Sequence, residues 1–211
     1  MQLTFALAKG RLAEKVAEIL TECGVDCSSL TAPTRKLVLF DKDEKYRFIF
    51  VKPADVPTYI ERGVADIGVV GKDTLVEEGK DVYEMADLKF GACRMCVAGY
   101  KDKKLSVGSG CLTVASKYVN IARKFFLTKG VNVDIIKLNG SVELGPVIGL
   151  SDVIVDIVES GKTLEANGLT VLEEIFKSSA RLIVNKASLK TRYDEIVPLI
   201  ERIKKVTEDK A

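Results

Sequence analysis

The chain has 211 residues, 47% hydrophobic and 29% charged, enough for one large domain or two small ones with an ordinary core. Its 32 basic and 30 acidic residues leave a net charge of +2, so no overall signature of nucleic-acid or membrane binding exists. Histidine is absent, which excludes imidazole metal sites, histidine triads and histidine acid–base catalysis. Chemistry must then run on Arg, Lys, Asp, Glu, backbone dipoles and a borrowed metal ion.

Strand and helix patterns alternate along the chain. Residues 3–8 read as a strand, and 11–23 as a helix whose stripe is Leu12, Val16, Ile19 and Leu20. Strands at 37–40 and 47–51 flank a charged turn, which predicts a hairpin. Residues 55–62 predict a short helix with Asp55 as N-cap and Pro57 in its first turn. A buried strand at 66–70, a helix at 73–78, an irregular charged stretch and a long strand at 91–100 follow. Further strands are expected at 111–115, 133–138, 152–158, 169–176 and 181–184, with helices at 119–129, 142–150, 163–168 and 189–206. The pattern is that of an α/β protein with mainly parallel sheets and no repeat period. Candidate crossings at Phe90–Gly91 and Ser178–Ser179 divide it into a lobe of 1–89 plus 179–211 and a lobe of 90–178.

Five cysteines without an export signal imply reduced thiols. Cys93 and Cys96 have a zinc-like spacing, but on a strand their sulfurs face opposite sides; Cys23 and Cys27 could complete a four-thiolate site, yet nothing in the sequence ties the two pairs together, so buried thiols are the plain reading. No apolar run approaches a membrane span, and residues 1–8 are too short for a signal peptide, so a cytoplasmic protein is expected.

The strand at 152–158 is the most informative segment. It runs into Glu159-Ser160-Gly161-Lys162-Thr163 and then into a short helix. Such a turn aims several unpaired N–H groups at one point, which attracts a phosphate, helped by the helix dipole and the Ser160 and Thr163 hydroxyls. Asp156, still on the strand, is placed to accept hydrogen bonds from sugar hydroxyls, so the segment suits a ribose 5-phosphate. A Walker A loop is excluded, because that motif needs a glycine where Asp156 stands. An ordinary strand–turn–helix connection without ligand stays open on this segment alone.

Other turns are of the same kind. Lys9-Gly10-Arg11, at the end of the first strand, can present two cations to an anion or form a solvated basic turn. Arg35, just before a strand, has a similar claim. Asn139-Gly140-Ser141-Val142-Glu143 opens a helix with Ser141 as its expected N-cap; there Glu143 fits a ligand role and a helix-dipole role equally. Asp66 and Lys72 bracket the strand 67–71 and its glycine turn, again read as a strand's carboxyl end.

Taken together, Lys9-Gly10-Arg11-Leu12, Asp55-Val56-Pro57 with the run 63–71, Ala115-Ser116-Lys117-Tyr118, Gly140-Ser141-Val142-Glu143-Leu144 and 152–169 resemble the catalytic subunit of the ATP phosphoribosyltransferase family, in its short form. Val119 departs from the family, which often has proline after the Ser-Lys-Tyr turn. The resemblance implies a two-lobed fold like the type II periplasmic binding proteins, with a central cleft. It implies transfer of phosphoribosyl from phosphoribosyl pyrophosphate to N1 of ATP, with Mg²⁺ held mainly by substrate phosphates and no protein metal site. It also implies that Glu159, Ser160, Gly161, Lys162 and Thr163 hold the 5-phosphate and Asp156 the ribose. Lys9, Arg11 and Arg35 would neutralise pyrophosphate or ATP phosphates, and Asp66 and Glu143 would lie on the ATP side. The chain ends at Ala211 after a charged helix, which implies the form without a histidine-binding regulatory domain. That form is expected as a homodimeric catalytic unit with a histidyl-tRNA-synthetase-like regulatory subunit, in a hetero-octamer. A non-catalytic solute-binding module on the same fold is the competing reading.

Overall fold

The computed structural model describes residues 2–31, 34–105 and 110–210. The chain forms two compact units, one of residues 1–91 with 179–211 and one of residues 92–178. The first unit begins β1 (Leu3–Ala8), α1 (Arg11–Glu22), α2 (Ser28–Thr31), β2 (Val38–Phe40) and β3 (Tyr46–Val51). A 3₁₀ turn at Pro53–Asp55 leads to α3 (Val56–Glu61), β4 (Ile67–Gly71), α4 (Lys72–Glu78) and β5 (Tyr83–Asp87). The second unit holds β6 (Cys93–Gly99), β7 (Leu112–Ser116), α5 (Val119–Thr128), β8 (Val133–Lys137), α6 (Leu144–Val147), β9 (Val153–Val158), α7 (Lys162–Ala166) and β10 (Thr170–Ser178). The chain then adds β11 (Ala180–Val184), α8 (Lys186–Thr191) and α9 (Tyr193–Glu208) to the first unit.

Among the described residues the first sheet has the order β2-β3-β1-β4-β11-β5 and the second β10-β6-β9-β7-β8. Each is mixed, which corrects the expectation of mainly parallel sheets. β3-β1-β4 and β8-β7-β9 are parallel; β2, β11 and β5 in one sheet, and β6 and β10 in the other, pair antiparallel. Apolar patterning reports how deeply a strand is buried. Its direction depends on a neighbour that can lie far along the chain, as β11 does from β4.

The first core shows why these segments fold as they do. Inward residues of β1 and β3, led by Phe5 and Phe48 with ring centroids 5.5 Å apart, meet the stripe of α1 (Val16, Ile19, Leu20) and of α9 (Ile196, Leu199, Ile200, Ile203). The opposite face, with Ala6, Ile49, Val70 and Ile183, is covered by Val56 and Ile60 of α3 and Leu75 of α4. In the second unit Ile154, Val158, Ala115 and Cys96 pack with Val142, Leu164 and Leu169.

Several expected details change. β5 replaces part of the irregular stretch: its charged Glu84 and Asp87 sit on an outer strand, where no apolar alternation is required. Short helices α2 and α8 were not signalled. Asp55 makes no side-chain capping bond, because it already lies in the helical region as the end of the 3₁₀ turn. The helix expected over 142–150 shrinks to α6, since Gly145, Pro146 and Gly149 cannot sustain a longer one.

Candidate active site

In the second unit β7, β8 and β9 run parallel, with Ser116 opposite Lys137 and Val155. The turns that follow them therefore emerge at one edge of the sheet, where open α/β sheets bind ligands. Those turns carry Lys117-Tyr118, Asn139 to Glu143, and Glu159-Ser160-Gly161. Alternation along β9 puts Asp156 on the face of Ile154 and Val158, the face that packs against Leu164 and Leu169. Asp156 is half-buried there and pairs across the sheet with Cys96. Gly161 takes φ 81°, ψ −5°, a left-handed turn that a side chain would strain, and it turns the strand into α7. The Lys162 amide reaches the Ser160 hydroxyl at 3.5 Å, while the amides of Thr163 and Leu164 lie in a first helical turn that offers no intrahelical carbonyl. Lys162 and Thr163 are exposed, and Leu164 anchors the loop to the core.

At the neighbouring turn Ser141 takes φ 49° and is not the N-cap of α6. That corrects the expected serine cap: the chain makes a tight turn first, and Glu143 occupies the cap position. The Glu143 side chain makes no capping bond, so its half-buried carboxylate is not consumed by the helix.

In the first unit β1 and β3 are parallel with Ala8 opposite Val51, so Lys9 and Lys52 leave the sheet side by side. Sequence reasoning does not single out Lys52; the only signal was its place after a strand. Gly10 carries φ 105°, ψ −158°, a conformation for glycine alone, and swings the chain into α1. The Lys9 ammonium lies 5.5 Å from the centre of the Phe50 ring and donates to the Thr34 carbonyl at 3.5 Å. That contact ties the turn to the segment bearing Arg35. β2 pairs antiparallel with β3, Val38 opposite Ile49, so the residues before it approach the same edge. Lys9, Arg11, Arg35 and Lys52 thus gather at the carboxyl end of the parallel strands, and Arg11 and Arg35 are exposed.

Asp66 is elsewhere, which corrects the expectation that it lies at a strand's carboxyl end. It precedes β4 and sits at the amino edge of the sheet, opposite to Lys9. Its carboxylate accepts from the Thr4 amide at 2.8 Å, the Ser188 hydroxyl at 2.6 Å and Arg192 at 3.1 Å. Both carboxylate oxygens have structural partners, which account for its burial without a ligand. Lys72 pairs with Glu84 on β5.

Among the described residues no three His, Cys, Asp or Glu side chains converge on a possible metal position. No described helix is long and apolar enough to cross a membrane.

A family model of ATP phosphoribosyltransferase matches residues 52–205. An ATP phosphoribosyltransferase of Thermoanaerobacter sp. (strain X514) is 54% identical over 206 residues, 98% of this chain and 96% of that protein. The chain belongs to the ATP phosphoribosyltransferase family. A second relative, the ATP phosphoribosyltransferase of Clostridioides difficile (strain 630), is 52% identical over 94% of this chain and 95% of its own length. Among solved structures, the ATP phosphoribosyl transferase (HisG:HisZ) complex from Thermotoga maritima contains a chain with TM-score 0.86 and 36% identity, aligned over 99% of this chain and 100% of that one. The substrate binding protein of an amino acid ABC transporter shares the fold alone, with TM-score 0.55 and 14% identity. This member of the ATP phosphoribosyltransferase family therefore has the two-sheet α/β architecture also used by periplasmic-type binding domains, and the plain binding-module reading gives way to an enzyme.

Proposed function

We propose that the chain transfers the phosphoribosyl group of phosphoribosyl pyrophosphate to N1 of ATP, the first step of histidine biosynthesis. The C1–O bond to pyrophosphate breaks, a C1–N1 bond forms, and N1-(5-phosphoribosyl)-ATP and pyrophosphate result. The observation that carries this reading, beside family membership, is the acid-and-amide edge of the second unit: Asp156 on the face that packs against α7, with the Gly161 turn beside it.

In this reading the loop from Glu159 to Thr163 holds the 5-phosphate through backbone amides and hydroxyls, and Asp156 accepts the ribose hydroxyls. Lys9, Arg11 and Arg35, with Lys52 beside Lys9, neutralise pyrophosphate or ATP phosphates. Glu143 borders the adenine or sugar. Displacement at the anomeric carbon passes through an oxocarbenium-like state, so the protein's work is alignment and stabilisation of the departing negative charge. Adenine N1 is already nucleophilic, which fits a chain without histidine. Mg²⁺, carried by substrate phosphates, supplies further neutralisation of the leaving pyrophosphate.

The partner implied by the resemblance, and in keeping with the two-protein Thermotoga maritima complex, is a histidyl-tRNA-synthetase-like regulatory subunit joined to homodimers of this chain in a cytoplasmic hetero-octamer. Mass spectrometry of the chain with ATP, phosphoribosyl pyrophosphate and Mg²⁺, with and without that subunit, tests the reading. Phosphoribosyl-ATP is expected with the partner present. Its absence from both mixtures, with folded protein, would overturn it.

A further inference from the structure

The Ser116-Lys117-Tyr118 turn has no part in the chemistry above, yet its serine hydroxyl is buried and bonded on two sides beside the site. Ser116 is the last residue of β7 and is completely buried. Its hydroxyl donates to the Val155 carbonyl at 2.6 Å and accepts from the Tyr118 amide at 2.8 Å. Both partners matter by their position. The Val155 carbonyl belongs to the peptide that joins Val155 to Asp156. The Tyr118 amide belongs to the peptide joining Lys117 to Tyr118, at the turn into α5.

Paired residues of β7 and β9 end at Ser116 opposite Val155. Beyond that point β7 leaves the sheet, and the hydroxyl continues the bonding on behalf of the departing backbone. One oxygen thus fixes two peptide planes, the one entering Asp156 and the one opening α5. We infer that Ser116 is a positioning residue for the phosphoribosyl site, acting by holding the backbone that carries Asp156. The inference rests on the assignment of Asp156 to the ribose.

A hydroxyl in this place has a physical advantage over a longer ladder. It lets β7 turn away while β9 runs on to Val158, so Asp156 lies beyond the last paired residue of β7 and remains reachable at the edge. Removing the oxygen leaves a buried carbonyl and a buried amide each short of a partner. The cheapest relief is rotation of those peptides, which moves the Asp156 carboxylate. Displacements well below 1 Å in such supporting groups are enough to weaken an aligned site.

Ser151 provides a matched control. It lies in the same unit and is buried, but its hydroxyl has no hydrogen-bond partner among the described residues. Ser188→Ala provides a second control, because it removes a part-buried bond to Asp66 at the amino edge of the other sheet. Steady-state kinetics with both substrates, on the complex with its regulatory subunit, reads the effect. Ser116→Ala is expected to raise KM for phosphoribosyl pyrophosphate and to lower kcat, together costing about tenfold in kcat/KM. Ser151→Ala should leave KM unchanged, and Ser188→Ala should lower Tm without moving KM. An unchanged KM in Ser116→Ala, or an equal rise in Ser188→Ala at similar Tm loss, would overturn the inference. Asp156→Ala run beside them separates the two levels. If that variant keeps full turnover, the ribose assignment itself is wrong; if it loses turnover while Ser116→Ala behaves as wild type, only the positioning role falls.

Discussion

The two units are built on one plan. β3-β1-β4-β11-β5 of the first corresponds to β8-β7-β9-β6-β10 of the second, strand for strand and sense for sense, with β2 as an added edge. Each central strand even begins with the same clasp. The Asp66 amide donates to the Thr4 carbonyl at 2.9 Å while its carboxylate takes the Thr4 amide at 2.8 Å. Asp152 does the same with Thr113, at 2.8 Å in both directions. A cation seals each clasp, Arg192 from the approach to α9 in one case and Lys103 in the other. The units part company at the opposite edge. The first displays Lys9, Arg11, Arg35 and Lys52; the second displays Asp156, Glu143, Glu159 and open amides. The amino edges carry the same aspartate clasp in both units, whereas the carboxyl edges carry different charged side chains.

Substitutions at the two edges should therefore fail in different ways. The largest effect is expected at Asp156→Ala, where turnover should fall by about two orders of magnitude or more with little change in melting temperature; full activity would break the contrast. Next come the cations. Lys9→Met keeps the stem over Phe50 while removing charge, and should lower kcat/KM by about 10- to 100-fold in initial-rate assays. Across the sheet, Asp66→Asn should cost about 2–4 kcal/mol in denaturant melts, since Asp66 and Arg192 are 13% and 12% exposed and leave a cation under-paired. Its KM values should stay unchanged. A rise in KM there would restore Asp66 to the site.

A smaller, pH-dependent effect sharpens the comparison. The Lys103 hydrogen bond, reinforced by the Thr113 amide, holds the Asp152 carboxyl below its ordinary value. The unfolded chain therefore binds the proton first as pH falls, and the clasp contributes stability that is complete above about pH 5 and is lost through the acid range below about pH 4. Asp152→Asn should melt earlier than wild type at pH 6, with the gap closing towards pH 3; a gap that stays constant would remove the ionic part of the clasp. Least disruptive is thiol labelling. Burial pushes the Cys27 thiol up to about 11, and Cys23 and Cys96 are likewise raised by burial, whereas Cys111 is exposed. Cys111 should react with an alkylating reagent in the native protein, and the three buried thiols only after unfolding, as peptide mass mapping would show.

Much of the scaffold was legible in the residues. β1, α1, β3, β4, α5 and β9 came from period and burial-type runs, because apolar spacing is a local record of which face a segment buries. The turns at Gly161 and Gly10 were legible for a similar reason: glycine between polar residues at a strand end is a local signal. Asp66 was misplaced because the residues before and after a strand look alike until the strand's direction in the sheet is known. β5 was missed because an outer strand can be charged. The shared plan of the two units left no sequence period at all, since only buried or exposed character, and not identity, is needed to repeat a topology.

By itself the sequence determined the class of fold, the absence of imidazole chemistry, the family resemblance and the glycine turns at strand ends. Tertiary structure alone decided the mixed pairing of the sheets, the gathering of Lys9, Lys52 and the segment before β2 at one edge, and the bond from Ser116 to the peptide before Asp156. Each of those is a relation between residues distant in the chain. Periodicity fixes how one segment meets its surroundings, whereas strand direction and register fix which segments meet each other.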